Sequence, residues 1–410
     1  MLDNTISQKY LFYVFLVSVI IGFIGLWFSP FLVSLSTGII ALSVLPYFSQ
    51  IWSNHKKLVI VFTGILLLSL FDFLRTEDSS IVSAKLMLVI GFIFLQFASL
   101  YHFKNKKKEM LWLVIIFAAI VLVINCIAVG NYWVNKAYYD EMLLQSKAIP
   151  VLRMHHIHFG IINGIMLIML GGVFIKKMLT SLQEKLVIIF FIGILIGFHI
   201  LGSRTGLLSF YVASIVGLFI YSLDTKKYST LLIGTVMIMA VLSGAYALST
   251  SFKNKISNSM EDFNSWSNGE DINYKSMAMR LEAYKACIGI IKEHPLIGVG
   301  SGNQEAELQL MYEKENSVLF KENRVGPHNQ ILEFGIKYGI LGIVLILAYF
   351  LYFFQGVNLR DYIYITILVM LFTSIQFESL LERQGSIYFS TILIGLAYHL
   401  FYKNENIIQE

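Results

Sequence analysis

Residues 186–223 read LVIIFFIGILIGFHILGSRTGLLSFYVASIVGLFIYSL. Two apolar runs, 186–201 and 205–223, meet with only the segment around Gly202 and Arg204 between them, too little chain for a solvated loop. Each run is close to the length that a helix needs to cross the hydrocarbon of a bilayer, about 20 residues. The stretch therefore reads as a membrane-embedded helical hairpin with an arginine at its tip.

The same pattern extends outward in both directions. Apolar runs fall near 10–28, 31–52, 58–74, 81–103, 110–129 and 157–175 before the hairpin, and near 229–249, 331–354, 361–380 and 385–401 after it. That predicts twelve spans, the second weakened by Pro46. Composition agrees: 57% of the residues are apolar and 14% charged, against roughly 25% charged in soluble domains, which excludes a soluble fold. The run from Tyr10 to Phe28 has no small-residue cleavage site after it and reads as a retained first helix.

Lysines set the sidedness. Lys56 and Lys57, then Lys104, Lys106, Lys107 and Lys108, then Lys176, Lys177 and Lys185, then Lys226 and Lys227 occupy every second loop. Short cytoplasmic loops hold the excess of Lys and Arg, so both termini are expected in the cytoplasm. The opposite short loops carry little beyond Arg75, Arg204 and Arg383. Two long segments, 130–156 and 250–327, then lie on the outer face. The expected layout is helices 1–9 within 1–249, an outer loop over 250–327, and helices 10–12 within 328–410. A net charge of +5 is too small to argue for nucleic acid. Cys126 and Cys287 stand too far apart in sequence to set a metal spacing or a disulfide framework.

Long loops are usually functional or disordered, and the second one has helical signals. Over 273–295, Leu281, Tyr284, Ile288 and Ile291 recur at helical spacing and Pro295 provides a stop. A second helix is expected over 304–315, after Gly298, Gly300 and Gly302. That glycine run resembles a phosphate loop only superficially, because no strand precedes it and it faces away from the nucleotide pool.

Charges at membrane depth are the informative residues, since each costs about 2.5–3.5 kcal/mol by insertion scales. Arg204 heads the set, with a snorkelling anchor as the competing reading. Arg280 starts the apolar stripe of the loop helix one turn before Tyr284, the alternative being a solvated charge paired with Glu282 or Glu261. His328 follows Pro327 where the loop meets the tenth helix, with Asn329 beside it, and an imidazole at a helix N-terminus is suited to take a proton. Arg153, His155, His156 and His158 reach the outer mouth of the sixth helix. Only His155 and His158 share a face, and with no nearby cysteine or carboxylate in sequence they make a weak metal pair, so no metal is expected. Glu378, Glu382, Arg383 and Gln384 bracket the last outer junction, where a salt-bridged turn is the plain alternative. Arginine offers a planar fork matched to phosphate oxygens, so arginines gathered on one face suggest a lipid-linked phosphate or diphosphate.

Three stretches carry a family resemblance: GSRTGL at 202–207, RLEAY at 280–284 running to HPLIGVGSG at 294–302, and PHNQILEFG at 327–335. In order and spacing they resemble the O-antigen ligase and polymerase superfamily of bacterial membrane glycosyltransferases, over roughly residues 185–350. The resemblance implies an all-α, polytopic fold of the GT-C membrane glycosyltransferase type with a large helical periplasmic loop. It implies transfer of a glycan from undecaprenyl diphosphate to a lipid A-core hydroxyl at the periplasmic face of the inner membrane. Transfer would be inverting and independent of cofactor, metal and nucleotide. Arg204 and Arg280 would grip the diphosphate and His328 would sit at the acceptor hydroxyl. Arg153, His155, His158, Tyr284, Asn329, Glu382 and Arg383 are further substrate-binding candidates. A polymerase acting on lipid-linked repeats is the near alternative to the ligase, and a lipid or sugar transporter the alternative of another class.

Overall fold

A helix that is apolar all round can rest only in a core or in lipid, and this chain uses both. The computed structural model describes residues 4–76, 78–144, 148–248 and 250–402. Among them the one extended pairing is an isolated bridge between Val151 and Met154. In chain order the helices are α1 (Asn4–Phe28), α2 (Pro30–Val44), α3 (Phe48–Asn54), α4 (Lys56–Phe71), α5 (Ser79–His102), α6 (Lys107–Val134) and α7 (Lys136–Leu144). They continue with α8 (His156–Ile175), α9 (Ser181–Leu201), α10 (Arg204–Thr225), α11 (Tyr228–Leu248), α12 (Thr250–Ser267), α13 (Ser276–Glu293) and α14 (Gln304–Lys314). The last three are α15 (Gln330–Phe354), α16 (Tyr362–Ser374) and α17 (Gln384–Phe401).

The protein is a polytopic, all-α membrane protein. Among the described residues, ten helical segments are long and apolar enough to cross a bilayer, α2 and α3 counting as one span through a 3-10 turn at Pro46. This differs from the twelve expected. The last two apolar runs form α16, of 13 residues, and α17, of 18, with a polar turn over 375–383 between them. α17 is buried continuously from Ser386 to Phe401 and packs against α5, α2, α8 and α16. α11 is its opposite, equally apolar yet without a buried residue, so its large side chains, Leu232, Ile233, Val236 and Met237 among them, are left for lipid.

Small residues set the closest approach near the site. A Cβ on Gly206 of α10 would meet the backbone of Gly160 in α8 at 2.6 Å, so the two helices cross backbone to backbone, as small residues allow in membranes. This crossing brings the start of α10 beside the start of α8. Gly202 ends α9 in the left-handed region at φ +57°, and α10 begins two residues later at Arg204, the tight reversal expected from the sequence.

The 250–327 segment holds three helices, of which α12 was not anticipated. α14 lies where expected. The buried face of α13 consists of Ala278, Glu282, Ala283, Ala286, Cys287 and Ile290. The expected stripe is rotated away from it: Leu281, Tyr284 and Ile291 are half-buried and Ile288 is exposed. Small residues let α13 lie close against α14 and α15, a tertiary demand that large-residue periodicity does not register. The 130–156 segment is likewise not all loop, since α6 runs to Val134 and α7 follows.

The glycine run 298–302 has a structural job. α15 breaks at Gly339, φ +60° and ψ −148°, which frees backbone groups that must be satisfied internally in a membrane protein. Val299 and Gly300 donate to the carbonyls of Ile336 and Lys337 at 2.8 and 2.9 Å, and Ile340 donates to Pro295 O at 2.8 Å. Arg75 clips the segment from the side, donating to Ile297 O, Gly298 O and Lys337 O, while Asp72 accepts from Ser301 N.

The two ends of the bundle differ in charge. At one end His55, Lys57 and Lys176 reach Tyr352, Gln355 and Arg360 O, and Lys106 stands over the ring of Phe12. Arg204, Arg280 and Arg383, with His155, His158 and His328, gather at the other.

Candidate functional site

Arg204 is held from two helices of the outer segment. Its Nη1 donates to Ser259 Oγ of α12 and its Nη2 to Ser276 Oγ of α13, both at 2.8 Å. These hydrogen-bond partners are neutral hydroxyls, which fix the guanidinium plane. Asp262 and Arg280 both lie close enough to act on it electrostatically. Asp262 itself caps α13 by accepting from Met277 N at 2.9 Å. Burial raises its carboxyl above the usual range even though Met277 and Arg204 pull the other way. Arg204 therefore anchors the α10–α12–α13 junction, which is more than a snorkelling anchor does.

Lys255, buried on α12, donates to Leu201 O and Gly202 O at 2.7 and 2.8 Å, capping the last carbonyls of α9. Burial first, and Arg204 second, lower its ammonium to about 7.

Arg280 points to the turn between α16 and α17 and to neither carboxylate expected from the sequence. Its Nη1 donates to Phe377 O at 2.9 Å and its Nη2 lies 3.9 Å from Glu378 Oε2. Glu282 and Glu261 pair elsewhere, with Lys285 and Lys275 respectively. His328 sits in the left-handed region at φ +45°, a strained setting for a non-glycine residue. Its Nδ1 is 3.4 Å from the same Glu378 Oε2. His158 Nε2 approaches the other oxygen, Oε1, also at 3.4 Å. Glu378 is thus the hub of the site, 2% exposed, and the turn brings it between α8, α13 and α15. Burial by itself would raise its carboxyl, but the contacts of His158 and His328 outweigh that and hold it well below the usual carboxylate range.

Other sequence candidates receive structural roles. Asn329 caps α15, accepting from Ile331 N and Leu332 N, and with Tyr284 it donates to Gln376 O at 3.0 Å. Both residues therefore pin the turn. Glu382 is bound by Lys337 at 2.5 Å and Lys85 at 2.8 Å. Arg383 is the N-cap residue of α17, exposed, and close enough to act on His155. Arg153 is exposed on the turn closed by the Val151–Met154 bridge.

The histidine pair also gains what the sequence lacked nearby, a carboxylate. Ligand atoms of His155, His158 and Glu378 all lie within 4.8 Å of one another, enough donors for a metal in kind and number. Burial lowers His155 to about 4, with neighbouring charges making smaller contributions, so it is neutral near pH 7. Against a cation stand Arg280 beside the same carboxylate and Arg383 facing His155. The surplus of Arg204, Arg280 and Arg383 over Glu378 and Asp262 suits an anion instead.

Residues 159–347 match the family described as O-Antigen ligase. Over this segment the chain is similar to the O-antigen ligase family. Members are glycosyltransferase-type enzymes that act on lipid-linked glycans. No curated protein matches the chain. The matched O-antigen ligase segment contains Arg204, Arg280 and His328 but begins after His158 and ends before Glu378, so the fold adds the hub from outside it. Neither Glu378, which follows an apolar run without helical or strand periodicity, nor Lys255 and the two serines carries a local signal of its role.

Proposed function

We propose that the protein is an O-antigen ligase that moves a glycan from undecaprenyl diphosphate to a lipid A-core hydroxyl. The carrying observation is that Arg204, whose side chain is held by the hydroxyls of Ser259 and Ser276, and Arg280 stand at one end of the bundle with His328, and that Arg280 and His328 address one carboxylate. Arg204 and Arg280 hold the diphosphate and stabilise its developing charge as the C1–O bond breaks, an electrostatic role that grows in a low-dielectric site. The acceptor oxygen attacks C1 from the opposite face, which inverts the anomeric centre, and its proton passes to His328. His328 and Arg280 keep 28% and 22% of their side-chain surface open, enough to meet a substrate.

In this reading the lysine-bearing end and both termini face the cytoplasm of the inner membrane, and the arginine end faces the periplasm. Arg204, His328 and Glu378 stand at a helix end or in a turn and Arg280 on a helix of the 250–327 segment, whereas transporter sites lie near the bilayer midplane, which weighs against transport.

The test is the lipopolysaccharide profile of a deletion strain carrying Arg204→Ala, Arg280→Ala or His328→Ala. Each variant is expected to reach the membrane in normal amount and leave core without O-chain while lipid-linked polymer accumulates. Capped lipopolysaccharide from all three would overturn the assignment, and core bearing a single repeat would mark a polymerase.

A further inference from the structure

We propose that Glu378 is a positioning residue of the transfer reaction: it holds His328 by Nδ1, turning Nε2 to the acceptor hydroxyl, and its turn sets Arg280 beside that imidazole. The inference rests on the glycosyl-transfer reading above. Its basis is the way a single turn addresses both partners. Phe377 O accepts from Arg280 at 2.9 Å, and the next residue, Glu378, presents Oε2 to His328 at 3.4 Å and to Arg280 at 3.9 Å. Oε1 faces His158 at 3.4 Å.

The turn itself cannot drift. Gln330 N donates to Ile375 O at 2.8 Å, Leu381 N donates to Gln330 Oε1 at 2.6 Å, and Tyr284 and Asn329 both donate to Gln376 O. Yet the carboxylate it carries is under-bonded. Glu378 Oε2 and His158 Nε2 are buried without a formed hydrogen bond, their contacts being longer than the usual 2.7–3.2 Å. A buried polar group left in this state needs an explanation, and catalytic hydrogen bonds commonly tighten only when substrate binds.

The proton accounting is simple. As the donor C1–O bond breaks and its electron pair leaves with the diphosphate, the acceptor proton moves to His328 Nε2. The imidazolium so formed is stabilised by Glu378, which stays ionised. The groups that act on Glu378 are His155, His156 and His158 at the start of α8, Arg280 and Tyr284 of α13, and His328 before α15.

The experiment compares Glu378→Gln and Glu378→Asp with the natural protein in detergent, using undecaprenyl-diphosphate-linked glycan and core lipid. Glu378→Gln is expected to lower kcat about 100-fold or more, by analogy with carboxylates that orient a histidine base, with little change in donor KM. The acidic limb of its pH–kcat/KM profile should move to lower pH, since an imidazole without its carboxylate protonates less readily. Glu378→Asp should recover part of kcat and of the limb. Natural kcat in Glu378→Gln overturns the proposal, as does a fall with an unmoved limb. Should Glu378→Gln fail to accumulate, the limb of Glu378→Asp decides in the same way. Zinc stimulation of the natural protein that Glu378→Gln abolishes overturns it too, in favour of a metal ligand. Arg204→Ala and His328→Ala run alongside: if both keep turnover, the transfer reading falls, and if only Glu378→Gln keeps it, this inference alone falls.

Discussion

Glu378 and Glu382 belong to one turn and are both largely buried, yet the fold treats them differently. Glu382 has two ammonium partners at 2.5 and 2.8 Å, and Lys337 extends the network to Glu333 at 3.4 Å, which accepts from Gln304. Lys337 and Lys85 outweigh burial and hold the Glu382 carboxyl low. Among the described residues Glu378 has imidazoles at 3.4 Å and a guanidinium at 3.9 Å around its carboxylate, all beyond the usual 2.7–3.2 Å of a hydrogen bond. A buried charge that is fully matched ties elements together. One that is incompletely matched is available to respond when a substrate brings charge of its own.

The comparison breaks most readily on its matched side. Lys337→Met leaves Glu382 and Glu333 facing each other without their shared cation, and breaking such a buried pair costs about 3–5 kcal/mol. Loss of the protein from membranes, or a sharp fall in its thermal midpoint in detergent, is expected. Glu382→Gln should likewise lower the midpoint while leaving kcat per folded molecule near normal, the reverse of the Glu378→Gln pattern. A kcat loss in Glu382→Gln without lower stability would erase the distinction between the two carboxylates.

Gly298→Ala reaches the matched network indirectly. Gly298 has φ +60°, and a Cβ there would strike the carbonyl of Ile336, next to Lys337. Strain of this kind is worth about 1–3 kcal/mol, and a lower midpoint with unchanged donor KM is expected. On the under-bonded side, Asn329→Ala removes the cap of α15 and one anchor of the turn, a loss of about 1 kcal/mol, with a fall in kcat if the turn positions His328.

A further effect concerns pH. Lys255 is lowered to about 7 in the folded protein, against about 10.4 unfolded. Between those values the unfolded chain binds the extra proton, so stability should rise as pH increases from about 7 toward 10. Thermal midpoints at pH 7 and 9 measure this, and Lys255→Met should flatten the difference.

Much of this was legible in the residues. Apolar runs and alternating lysines located the helices, because length and charge act one segment at a time. Arg204, Arg280 and His328 stood out because charge at a helix end next to lipid is costly wherever the rest of the chain goes. The partner of Arg280, the buried face of α13 and the division between Glu378 and Glu382 were not legible. Each depends on which surfaces meet: α13 packs through alanines and Cys287, so its large apolar residues gave the wrong face.

From its sequence alone the protein is a many-helix membrane protein with a basic, histidine-bearing face, since hydrophobic length and the cost of charge are local properties. Tertiary structure alone decided that the turn at 375–383 carries one carboxylate into a lysine network and another between His158, Arg280 and His328. Those partners lie far apart along the chain and meet only through helix packing, so no short-range pattern could encode their distances.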